Sequence, residues 1–184
     1  MADVTAQALI AAPAEEIWRH VTDFDTYDRW NATHTSFPRG GPPMLEPGAT
    51  YSENMKLMGF PAEVSWTVRA VKPARLLDIE GKGPMGVSLR MRYALVPAGA
   101  EETSTTEAPS AETSTAGGRR TVVSRTEGAR EGETEGERAV AEATTVRIDG
   151  SFTGAAVSLM AGKLKDSAKS ALEESLDRLA ALVA

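Results

Sequence analysis

The segment "TTVRIDGSFTGAAVSLMAGKLKDSAKSALEESLDRLAALV", residues 144–183, changes its hydrophobic period once. In its first part Thr144, Val146, Ile148, Gly150 and Phe152 alternate with Thr145, Arg147, Asp149 and Ser151, the period-two pattern of a strand with one dry face. From Val157 onward Met160, Leu164, Ala168, Ala171, Leu172, Leu176, Leu179 and Val183 recur every three or four positions, which predicts a long amphipathic helix. One strand and one helix cannot make a core of their own, so the strand needs an antiparallel neighbour. The preceding patterned run, Val87, Leu89, Met91, Tyr93 and Leu95, ends near Val96 and can supply it.

Between these two strands lie residues 98–143, opening with "AGAEETSTTEAPSAETSTAGG", a stretch without an aromatic or large aliphatic residue. That pairing makes this segment an insertion within the last hairpin of a single domain spanning residues 1–184, not a linker between two domains. Its composition predicts a disordered, acidic, low-complexity segment, with at most a marginal strand over 121–126. The plain reading is a solvated tether; the functional one is capture of a protein partner.

Charge follows the same division. The formal net charge is −6, and residues 98–143 hold ten acidic and five basic side chains, so the remainder is almost neutral. A near-neutral body has no basic stripe for phosphates, and nucleic acid is not an expected partner. The chain has no cysteine, which removes disulfides, thiolate nucleophiles and sulfur-based zinc sites. "MADVTAQALIAAPAEEIW" lacks a basic leader and a long apolar run, and no later segment is long enough to span a membrane. A soluble, cytoplasmic protein is expected.

Upstream, Val4, Ala6, Ala8 and Ile10 share one face of a first strand. Pro13, with Glu15 and Glu16 behind it, marks a helix start, and Ile17 and Val21 fall on one side of that short helix. Asp25 and Asp28 in "DTYDRWN" predict a second short helix. From Thr33 the period is two, broken by "RGGPP", "EPGA", "GFP", "KPAR" and "GKGPMG". Tyr51, Glu53, Met55 and Leu57 share a face, as do Val64, Trp66, Val68 and Ala70. "GKGPMG" has no helix after it to orient amides on a phosphate, and it reads as a turn.

The expected architecture is α+β: a curved, seven-stranded antiparallel sheet around a long C-terminal helix, with two short helices after the first strand. Seven strands about 4.8 Å apart make a sheet roughly 30 Å wide, while a helix is about 10 Å thick. The helix cannot seal that face, so a cavity should remain between sheet and helix, a usual place for a small-molecule site.

This order, with "APAEEIWRHVTDFDTYDRWN", "GFPAEVSWTV", "KPARLLDIEGKG", "GVSLRMRYALVP" and "DGSFTGAAVSLMAGKLKDSAKSALEESLDRL", resembles the START, polyketide cyclase and birch pollen allergen superfamily, also called SRPBCC. More closely it resembles its bacterial single-domain polyketide cyclase/dehydrase-like members, including an actinobacterial branch described as type II toxins. The resemblance covers residues 4–96 and 144–182, and the insertion departs from it. It implies the helix-grip fold and a hydrophobic ligand, and it carries no invariant catalytic signature onto numbered positions here.

Candidate ligand-binding residues are Tyr51, Met55, Trp66, Leu89, Met91, Tyr93, Phe152, Met160, Leu164 and Ala168, each of which could equally be plain core. Trp18 and Trp30 read as packing. Glu53 is out of place among apolar neighbours: either it lies near a strand end and reaches water, or it is a cavity carboxylate acting as general acid or base with Tyr93 as donor. His20 and His34 are the only histidines and are expected at the surface; no metal site and no cofactor are expected. Three functions fit: binding of a lipid, quinone or polyketide-like molecule, polyketide aromatase/cyclase activity, and a toxin of a type II pair.

Overall fold

The first strand, β1 (Ala2–Ile10), buries every second residue from Ala2 to Ala6 and then Ile10, as its alternation requires. Helix α1 (Ala14–Thr22) follows, with Ile17 and Val21 buried. In this computed structural model, which describes residues 1–98 and 142–184, five strands come next. They are β2 (His34–Ser36), β3 (Thr50–Leu57), β4 (Phe60–Lys72), β5 (Leu76–Lys82) and β6 (Ser88–Pro97). The chain ends with β7 (Thr144–Thr153) and the 28-residue α2 (Ala155–Leu182). The segment expected to be disordered, 98–143, and the marginal strand at 121–126 fall outside the described residues, apart from Ala98, Glu142 and Ala143.

All seven strands form one antiparallel sheet in the order β1-β7-β6-β5-β4-β3-β2. The fold is the expected helix grip: a curled sheet around a long C-terminal helix. β6 and β7 pair from Ser88↔Thr153 to Pro97↔Thr144, and the Ala98 N–H continues the ladder to the Ala143 carbonyl at 2.7 Å. The hairpin ends are therefore held together where 99–141 leaves and returns. Irregular pairing between Val68 and Ala70 on β4, and between His34 and Ser36 on β2, gives the sheet places to bend.

Two expectations need correction. The second short helix is present, as a 3-10 turn at Tyr27–Arg29, but the carboxylate organising its approach is Asp23 rather than Asp25. Asp23 accepts from the Asp25 N–H at 3.0 Å and from the Thr26 hydroxyl at 2.8 Å. In α2 the stripe is buried at Val157, Leu164, Ala168, Leu172, Leu176 and Leu179, but Met160 is 47% exposed. Its backbone leaves helical geometry (φ −127°, ψ 18°), which turns the first part of the helix out of phase with the rest.

Candidate functional site

Glu53 is at the centre. Strand parity sends it inward between Tyr51 and Met55, and it is only 2% exposed. Both carboxylate oxygens are held: Oε1 lies 2.9 Å from Nδ1 of His34, and Oε2 accepts the Trp66 Nε1–H at 2.7 Å. Trp66 comes from the neighbouring strand, and its register partner on the far side is Gly81. A Cβ at Gly81 would come within 2.7 Å of the indole ring, so the bare backbone of β5 is what lets Trp66 lie across it.

His34 is the main departure from the sequence reading. Its side chain is 4% exposed rather than on the surface, and it is paired with Glu53. A short loop fixes it there. Asn31, itself buried, accepts at Oδ1 from the Thr33 N–H (3.0 Å), the Thr33 hydroxyl (2.8 Å) and the His34 N–H (3.2 Å). Helix α2 holds the same loop: the Ala32 N–H donates to Ser175 Oγ at 3.0 Å, and that hydroxyl donates to the Ala171 carbonyl at 2.7 Å. His20 is half-buried, and its carbonyl accepts the Trp30 Nε1–H at 3.0 Å.

Three phenols surround this centre. Burial pushes Tyr27, Tyr51 and Tyr93 well above the usual tyrosine range, and the nearby Glu53 charge adds to the effect in all three. Tyr27 and Tyr93 lie close enough to influence one another's ionisation. Glu53, Trp66, Tyr27 and Tyr93 meet Asn31, Thr33 and Ser175 around a cavity whose other walls are Met55, Leu89, Met91, Ile148, Phe152, Ala168 and Leu172, with Trp30 beside them.

That cavity measures about 30 Å³, space for about one or two water molecules. The broad hollow expected from sheet and helix widths is thus largely filled. The helix alone is too narrow for the sheet, but the segment after α1 covers the rest of the concave face. Phe24 packs against Phe37 and Tyr51 at ring separations of 5.0 and 5.2 Å, Tyr27 against Trp30 at 4.8 Å, and Trp30 reaches Tyr93 at 6.2 Å.

Of the ten residues expected to meet a ligand, seven border the cavity: Met55, Trp66, Leu89, Met91, Tyr93, Phe152 and Ala168. Tyr51 is buried in the Phe24–Phe37 cluster instead, because the 23–37 segment closes over it. Leu164 is buried outside the cavity lining, and Met160 is turned out by the break in α2. Trp30, expected to be packing only, is fully buried and also borders the cavity, while Trp18 is half-buried at the edge of the core. Asn31, Thr33 and Ser175 escaped the sequence reading, since each looks like an ordinary loop or helix-surface residue. The "NxTH" spacing, with a side-chain oxygen two and three residues before free amides, is the signal that could have marked the loop. Among the described residues no group of three or more His, Asp and Glu is placed to hold a metal ion. No helix among them is long and apolar enough to cross a membrane.

Residues 1–126 match the family model for polyketide cyclase / dehydrase and lipid transport. The chain belongs to this family. The match stops before β7 and α2, but likeness in fold takes in those elements as well. Protein CV1439 from Chromobacterium violaceum superposes with a TM-score of 0.62 at 12% identity, over 100% of this chain and 98% of that one. A START superfamily protein from Mycobacterium smegmatis does so with a TM-score of 0.53 at 16% identity, over 96% and 98%. In sequence, this family member is 27% identical over 97 residues to a Mycobacterium tuberculosis protein named Toxin Rv0910, covering 53% of this chain and 67% of the relative. The resemblance read from the sequence therefore stands, in family and in fold.

Proposed function

We propose that the protein binds a small, mostly apolar molecule, lipid, quinone or polyketide-like, in the cavity between the sheet and α2. The observation that carries this reading is the buried Glu53 carboxylate, held by His34 and Trp66 at the polar end of a cavity whose other walls are mostly apolar. Burying a carboxylate carries a desolvation cost that a wholly apolar core would avoid, which favours a role for this group beyond packing. The family's description, which includes lipid transport, agrees.

Ligand sites for drug-sized molecules usually measure about 300–1,000 Å³, so the occupied state must be wider than the cavity described here. Met55 and Met91 are unbranched and repack readily, and Ala168 and Leu172 on α2 move if the helix shifts outward. Native mass spectrometry of the purified full chain tests the reading, together with titration by a fluorescent apolar probe. A co-purified small molecule or saturable uptake is expected. The absence of both overturns it. Ala168→Val, which adds two methyl groups at the cavity wall, should weaken uptake severalfold.

A second reading, an aromatase/cyclase, draws on Glu53 and Tyr93 sharing one cavity. Glu53 would take a proton from a methylene between two carbonyls of a bound polyketide, and the resulting carbanion would attack a second carbonyl of the same chain. Tyr93 would donate to the alkoxide formed, and loss of water would follow. Glu53→Gln should then keep binding and lose turnover. The toxin reading leans on the mycobacterial relative's name, with the acidic 98–143 segment as the contact for a protein partner. Growth arrest on expression in a bacterial host is its test.

A further inference from the structure

The polar end of the cavity limits the kind of ligand that can enter, given that an apolar ligand enters at all, which is the reading above. We infer that the group received beside Glu53 is a neutral hydrogen-bond donor, a hydroxyl or a phenol, and that ligands ending in a carboxylate or phosphate are rejected.

Among the described residues no lysine or arginine borders the cavity. His34 is not among the cavity walls and directs Nδ1 at Glu53. An incoming anion would meet the Glu53 carboxylate in a medium of low polarity with no cation at hand. Several neutral donors on the cavity wall are already engaged: the Trp66 N–H goes to Glu53, the Ser175 hydroxyl to the Ala171 carbonyl and the Thr33 hydroxyl to Asn31. The Tyr93 hydroxyl, as a neutral donor, does not offset a second negative charge beside Glu53.

Acceptor capacity, by contrast, remains. Each Glu53 oxygen has one partner, and a carboxylate oxygen can accept two. A ligand hydroxyl can donate to Glu53 and accept from Tyr93 in the same position. A charge-assisted bond of that kind is stronger than one between neutral groups, so a donor also outranks a purely hydrocarbon ligand.

The experiment compares three probes of nearly equal size with the full chain at neutral pH: naphthalene, 2-naphthol, which is neutral there, and 2-naphthoate, which is anionic. 2-Naphthol should bind at least about tenfold more tightly than 2-naphthoate, and more tightly than naphthalene. In Glu53→Gln the gap between naphthol and naphthoate should narrow. A smaller gap in the wild-type protein, or naphthalene binding as tightly as naphthol, overturns the inference while leaving apolar binding intact. If none of the three binds, the ligand-binding reading falls and this inference with it. The wild-type comparison decides the matter even if the variant does not fold.

Discussion

Tyr27, Tyr51 and Tyr93 are held in the protonated form chiefly by burial, with the Glu53 charge adding to the effect in each. An unfolded tyrosine ionises near pH 10, so the stability these groups contribute is complete below that value and is lost as pH rises beyond it. The loss should reach about 1.4 kcal/mol per pH unit for each buried tyrosine, and urea midpoints between pH 9 and 11 should fall steeply. Tyr93→Phe should make that fall shallower. Glu53→Ala removes the acceptor for both His34 and Trp66 and should cost about 3 kcal/mol or more in urea unfolding, with Glu53→Gln costing less. The inward placement of Glu53 was legible, because strand parity needs only local sequence. Its two partners were not: His34 is 19 positions away and Trp66 is 13, and only strand pairing brings them together.

At the level of elements, the centre depends on what the neighbouring strand and helix leave open. Gly81→Ala puts a methyl group against the Trp66 ring and should displace the indole from Glu53. A cost of about 1–3 kcal/mol is expected, together with a red shift of the tryptophan emission as the ring becomes more solvated. Ser175→Ala frees the loop carrying Asn31 and His34 from α2 and should cost about 1 kcal/mol, read as a lower denaturation midpoint. The helix itself was legible from its period, since most of its stripe faces the sheet. Ser175 was not, because a serine amid "EESLDR" carries no sign that its hydroxyl meets a backbone amide from another part of the chain. Met160 was misjudged for a related reason: a stripe on a helical wheel assumes one continuous phase, and the backbone breaks phase at that residue.

For the molecule as a whole, the β6–β7 ladder makes a strong forecast. The ends at Ala98 and Ala143 are already hydrogen-bonded, so replacing residues 99–141 by Asn-Gly should leave a folded domain with an unchanged near-ultraviolet dichroism spectrum. Failure to fold would mean that the removed segment supplies core contacts. Periodicity and turn residues alone were enough for the strand and helix inventory, the hairpin around the insertion and the inward faces, because each depends on neighbours within a few positions. How far the concavity is filled, and the burial of His34 against Glu53, came only from tertiary structure. Both depend on the 23–37 segment folding over the open half of the sheet, a placement governed by aromatic packing between residues far apart in the chain.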